Sequence, residues 1–129
     1  MYRWLLVMVI ACGTQQARAQ SPDCAGGNTR EIVTCLQRKL EAKEAELNSN
    51  YRYVVDTLGP RFDGDETDYA AVRRQLVAAQ RAWTTFRDND CSAKSANNGG
   101  GGTIEGTLHL LCLTERTEQR LREITSWME

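Results

Sequence analysis

The 129-residue chain has one histidine, His109, and no cysteine pair spaced C-x-x-C. Those two absences remove the common zinc-ligand patterns and any obvious nucleophile-and-base arrangement. Prolines number two and phenylalanines two, which argues against the strand-and-turn composition of an all-β fold. Basic residues do not exceed acidic ones, 16 against 17, so the basic stripe of a nucleic-acid binder is missing. The one strongly apolar run, Trp4 to Ala11, is too short to span a bilayer.

What is present begins with a leader. Met1-Tyr2-Arg3 forms a short positive segment, the apolar run follows, and Ala17-Arg18-Ala19 supplies small residues at −3 and −1. This pattern predicts a signal peptide over 1–19 and a mature domain over 20–129. Val9-Ile10-Ala11-Cys12 also fits a bacterial lipoprotein signal, in which Cys12 carries the lipid and anchors the chain to the envelope. Either route exports the protein to the periplasm or beyond, and membrane attachment arises only with lipidation. Removing Arg3 and Arg18 leaves 14 basic residues against 17 acidic ones, a net charge near −3.

Export leaves Cys24, Cys35, Cys91 and Cys112 in an oxidising compartment, where two disulfides are expected. The mature chain of 110 residues is one small domain that such staples help to stabilise. No metal or cofactor is expected.

Hydrophobic spacing predicts three helices. The first opens at Asn28 or Thr29, where Asn28 and Glu31 form a capping pair, and Ile32, Leu36, Leu40, Leu47, Tyr51, Val54 and Leu58 make one stripe before Gly59-Pro60. The second follows the acidic turn Asp63–Asp68, runs along Tyr69, Val72, Leu76, Ala79, Trp83 and Phe86, and ends near Cys91. The third covers about 103–127, with Ile104, Leu108, Leu111, Leu121, Ile124 and Met128 on one side and a weak point at Gly106. The fold class is all-α: a small disulfide-stapled bundle of three main helices, the first two an antiparallel hairpin.

Between helices two and three, Ser92 to Gly102 contains Asn97-Asn98 and four successive glycines, and reads as a mobile loop. Its Ser92, Lys94, Asn97 and Asn98 are the polar groups that a partner could contact. The disulfide pairing has two leading solutions. From Cys35 to Leu58 is ~35 Å of helix and from Thr67 to Cys91 ~36 Å, which favours Cys35–Cys91 with Cys24–Cys112 by a narrow margin. The sequential pairs Cys24–Cys35 and Cys91–Cys112 close short loops and stand as the rival.

Several strings together resemble the LprI-like lysozyme-inhibitor family of small exported bacterial domains. Cys24 and Cys35 are followed by Leu47-Asn48-Ser49-Asn50-Tyr51, similar to L-N-x-x-Y. Leu76 to Cys91 is similar to L-x-x-A-Q-x-x-W-x-x-[YF]-R-D-x-x-C, through Ala79, Gln80, Trp83, Phe86, Arg87, Asp88 and Cys91. Gly101-Gly102-Thr103 is similar to G-G-[ST]. Cys112-Leu113, Thr114, Arg116 and Leu121 are similar to C-L-x-x-T-x-x-R-x-x-x-L with a shortened gap, and Thr117 and Arg120 offer the same spacing one turn on. The resemblance implies a helical, disulfide-bonded envelope protein. One branch of that family inhibits lysozyme.

Within the string, Trp83, Phe86, Arg87 and Asp88 are read as structural: Trp83 in the core, and Arg87 in an ion pair with Asp88, Asp90 or an acid of the third helix. His109 lies between leucines with no partner suggested by spacing. Asp88 and Asp90 diverge on a helix and cannot act as a carboxylate pair. No catalytic constellation assembles, so a non-enzymatic protein is expected. The function implied is binding of a lysozyme-type muramidase, with a non-inhibitory periplasmic protein–protein interaction module as the alternative.

Overall fold

The computed structural model describes residues 24–58 and 66–129, with side chains described from residue 69 in the second stretch. The expected leader and the acidic turn Asp63–Asp68 lie outside what can be described in full. Three helices follow: α1 (Thr29–Thr57), α2 (Glu66–Gly99) and α3 (Gly102–Thr125), the last continuing into a 3-10 turn at Ser126–Met128. No strand occurs among the described residues. The Asn28 side chain accepts from the Glu31 amide while Glu31 accepts from the Asn28 amide, a complete capping box at the start of α1.

The helices alternate in direction, and α3 packs along both α1 and α2. Apolar packing concentrates at one end, where Leu47, Val54, Val55, Leu58, Leu76, Leu121 and Ile124 are buried together. The Tyr69 hydroxyl donates to the Val55 carbonyl there, tying α2 to the end of α1. Covalent links hold the opposite end. Cys24 is bonded to Cys35 and Cys91 to Cys112, with Cα separations of 5.7 and 5.5 Å. A bundle too small to fill its whole length with hydrocarbon therefore substitutes crosslinks at one end.

This pairing overturns the narrow preference for Cys35–Cys91. Glu44 meets Arg87 across the α1–α2 hairpin. Cys35 lies nine residues beyond Glu44 and Cys91 only four beyond Arg87, which offsets the two by ~7–8 Å along the axis at ~1.5 Å per residue. Cys91 and Cys112 instead lie eight residues before Gly99 and ten after Gly102, nearly level on adjacent antiparallel helices.

The expected mobile loop is also corrected. Ser92, Lys94, Asn97 and Asn98 belong to α2, which runs eight residues past Cys91. Lys94 pairs with Asp90 one turn back, and the Ser95 and Asn98 side chains donate to the carbonyls of Ser92 and Lys94. Asn97, like Asn98, is exposed on this last stretch of helix. The glycines then act individually. A Cβ on Gly99 would lie 2.5 Å from the Glu105 Cα, so only glycine admits this close approach of α2 to α3. Gly100, Gly101 and Gly102 have φ of 64°, 96° and 70°, and reverse the chain in the left-handed region.

Two helical faces turn from their expected course. On α2 Phe86 is exposed and Arg87 buried, so the inward face passes from Leu76 through Trp83 to Arg87 and Cys91. On α3 Ile104 and Leu111 are exposed, as is Met128 in the turn that follows, and the inward positions are Thr114, Thr117, Leu121 and Ile124. Leu111 and Leu121 are ten residues apart, a rotation roughly 80° short of three full turns. They cannot share one stripe, and the threonines keep the helical phase. Gly106 leaves α3 unbroken.

Candidate functional site

At the middle of the bundle Arg87 joins all three helices. Its Nη1 donates to Glu44 Oε1 on α1 at 2.8 Å and to Thr117 Oγ1 on α3 at 3.0 Å. Its Nε and Nη2 both reach Asp88 Oδ1 at 2.9 Å. The same guanidinium lies 5.2 Å from the centre of the Trp83 ring. Thr117 is wholly buried, and its hydroxyl, besides accepting from Arg87, donates to the Leu113 carbonyl. A buried cation is thus neutralised by two carboxylates and hydrogen-bonded at three nitrogens, the condition under which burial is tolerated.

A second layer surrounds this hub. Arg120 donates to Gln80 Oε1, pairs with Glu123 and lies 5.8 Å from the Trp83 ring centre. Asp90 is held by Lys94 at 3.0 Å and by Arg116 at 2.8 Å, which keep its carboxyl below the usual carboxylate range. Arg116 also lies 5.7 Å from the centre of the exposed Phe86 ring. Asp88 and Asp90 therefore serve different arginines.

Two cavities flank these groups. Between α1 and α2 a cavity of about 190 Å³ is lined by Glu44, Leu47, Asn48, Gln80, Trp83 and Arg87. Near the glycine turn a shallower one of about 420 Å³ is lined by Ser92, Ser95, Glu105, Gly106 and His109. Among the described residues no hydrogen bond joins His109 to a hydroxyl or carboxylate. Asp90, Cys91 and Cys112 bring their potential ligand atoms within 4.8 Å of one another, but both sulfurs are spent in the disulfide.

Trp83, Arg87 and Asp88 thus meet in one cluster, while Phe86 faces outward and Ser92, Lys94, Asn97 and Asn98 lie further along α2. Sequence reasoning missed Glu44, which nothing sets apart from the charged residues around it. Asn48, Gln80, Thr117 and Arg120 stand out in the sequence only as parts of the family-like strings. Thr117 and Arg120, at T-x-x-R spacing, are the pair that reaches the hub, whereas Thr114 bonds its own helix and Arg116 turns to Asp90.

The family model for lysozyme inhibitor LprI matches residues 21–124, nearly the whole described chain. The chain belongs to the LprI lysozyme inhibitor family. An uncharacterised protein of Rhizobium meliloti (strain 1021) is 34% identical over 127 residues, covering 94% of this chain and 91% of its own. No solved structure matches. The Arg87 hub explains why the W-x-x-F-R-D-x-x-C string of this LprI member holds together as a unit. Trp83, Arg87 and Asp88 lie within one ion-pair cluster, and Cys91 one turn later is covalently bound to α3. Among the described residues no helix is long and apolar enough to cross a membrane.

Proposed function

We propose that this LprI family member is an exported protein that binds a lysozyme-type muramidase and thereby protects the cell wall. The observation that carries this reading is the family match over 21–124. It opens just after the signal-peptide cleavage expected before Gln20, and the paired cysteines suit an oxidising compartment. The protein acts by binding and not by catalysis. Phe86 is the contact anchor: it is 54% exposed, belongs to the family string, and is backed by the Arg116 guanidinium. Aromatic and arginine side chains on a rigid scaffold are the usual high-energy contacts of protein interfaces.

The test is a cell-wall lysis assay with the oxidised protein and a panel of muramidases. Loss of lytic rate at micromolar protein is expected, with Phe86→Ala weakening it at least tenfold and leaving the melting temperature unchanged. No inhibition of any muramidase would remove the reading. Intact-mass measurement of the exported protein reports the N-terminus, and with it cleavage before Gln20 or lipidation at Cys12.

A second reading, a non-inhibitory periplasmic interaction module, draws on the glycine turn. With α2 helical to Gly99 and α3 starting at Gly102, this connection sends no long loop outward to fill an enzyme cleft. Co-purification of a stable envelope partner other than a muramidase is its distinguishing result.

A further inference from the structure

The cavity between α1 and α2 has a chemistry that neither folding nor the muramidase reading uses. Its charges are already matched: Arg87 with Glu44 and Asp88, and neighbouring Arg120 with Glu123. A charged ligand would enter as an uncompensated ion. What remains available is neutral and two-sided. The Asn48 side chain is exposed and bonds nothing among the described residues, since only its backbone carbonyl is taken, by Arg52. Gln80 uses its carbonyl oxygen on Arg120 and keeps its NH₂ free. Glu44 offers its second oxygen, because Arg87 occupies only Oε1. The Trp83 indole N–H has no hydrogen-bond partner among the described residues. The apolar part of the lining is Leu47, itself buried, and the partly buried Trp83 ring, against which the Arg87 and Arg120 guanidiniums also lie.

Planar amides and carboxylates set around an apolar wall match the alternating O–H and C–H groups of a sugar ring. A peptide strand is served less well. The walls are helices whose backbone groups are bonded internally, so they offer no edge to pair with an extended backbone. At about 190 Å³ the cavity suits one ring-sized group. Asn48 is open to a ligand, because its side chain is exposed and contributes no bond to the fold.

We propose that the α1–α2 cavity is a saccharide subsite that holds one uncharged pyranose ring, with Asn48, Gln80 and Glu44 as its hydrogen-bonding residues. The proposal stands apart from muramidase inhibition, because sugar binding is read with no muramidase present.

The experiment is a titration of the oxidised protein with N,N′-diacetylchitobiose and, in parallel, cellobiose, followed by amide and indole NMR. The two arms separate an N-acetylated ring from a plain hexose. Saturable shifts at the Asn48 and Gln80 side-chain amides and the Trp83 indole are expected with at least one sugar, at dissociation constants of ~10 mM or below. Asn48→Leu should weaken binding at least tenfold, and Asn48→Asp, which removes the donor, should do the same. Because Asn48 is exposed, both variants should keep the helical circular dichroism and melting temperature of the parent. No saturable shift with either sugar overturns the proposal. So do shifts that persist unchanged in both variants, or equal occupation of the cavity by a neutral tripeptide.

Discussion

Arg87 on α2 donates to the hydroxyl of Thr117 on α3 across 3.0 Å, and Thr117 has no exposed surface at all. A guanidinium at this depth is tolerated because Glu44 and Asp88 neutralise it and the Trp83 ring lies against it. The contact lies between the apolar end of the molecule and its crosslinked end, so it couples the two.

Arg87→Ala should therefore lower stability by ~2–3 kcal/mol, and Arg87→Lys should not restore it, since an ammonium cannot reach Glu44, Asp88 and Thr117 from one planar fork. Thr117→Val should cost ~1–2 kcal/mol and Thr117→Ser much less. Urea unfolding followed by circular dichroism measures all four; a fully stable Arg87→Lys protein would show that the fork geometry is unimportant.

Gly99→Ala tests the close approach of α2 and α3. The added Cβ would meet the Glu105 backbone at 2.5 Å, and backbone cannot yield as a side-chain tip can. A loss of ~1–3 kcal/mol is expected, as for overpacking elsewhere. Gly106→Ala is the control, because its Cβ would meet nothing within 4 Å. There the helical preference for alanine should raise stability by up to ~1 kcal/mol.

The disulfides close sequence separations of 11 and 21 residues. Chain entropy assigns each ~3 kcal/mol. Removing Cys91–Cys112 as a double serine variant should loosen α3 from α2 near the glycine turn, which hydrogen exchange over 92–112 would register. Removing Cys24–Cys35 should affect only the entry to α1. Peptide mapping without reduction should recover the two sequential pairs and no Cys35–Cys91 peptide.

Asp90 supplies a pH dependence. Its folded carboxyl lies below the ordinary value of 3.8, chiefly because Lys94 and then Arg116 hydrogen-bond it. The folded state thus binds a proton less readily than the unfolded chain. The contribution is fully present above the ordinary carboxylate range and is lost as pH falls through the depressed folded value. Thermal melting of the parent and of Asp90→Asn should show a difference at pH 7 that shrinks below about pH 4. A difference that grows on acidification would reverse the assignment.

Much of this architecture is legible in the chain because its signals are local. The Asn28–Glu31 cap and the α1 stripe from Leu36 to Leu58 each depend on neighbours within one or two turns. The errors share a different origin. Ser92 to Asn98 has loop-like composition, but Lys94, Ser95 and Asn98 bond one turn back and the Cys91–Cys112 link holds the segment on α3. Phe86 and Leu111 are apolar and their spacing predicts an inward place, whereas helical phase puts Arg87 and Thr117 there. The α1–α2 cavity was not legible at all, since it brings Glu44 and Asn48 against Gln80 and Trp83 from the far side of a hairpin.

By itself the sequence determined three helices, four cysteines fit for two disulfides, and membership of the LprI family, because periodicity, caps and short strings are properties of the chain alone. Tertiary structure decided which cysteines pair, what each glycine does and which face of α2 turns inward. Those outcomes depend on the axial register of packed helices, and an offset of one or two turns is enough to exchange one partner for another.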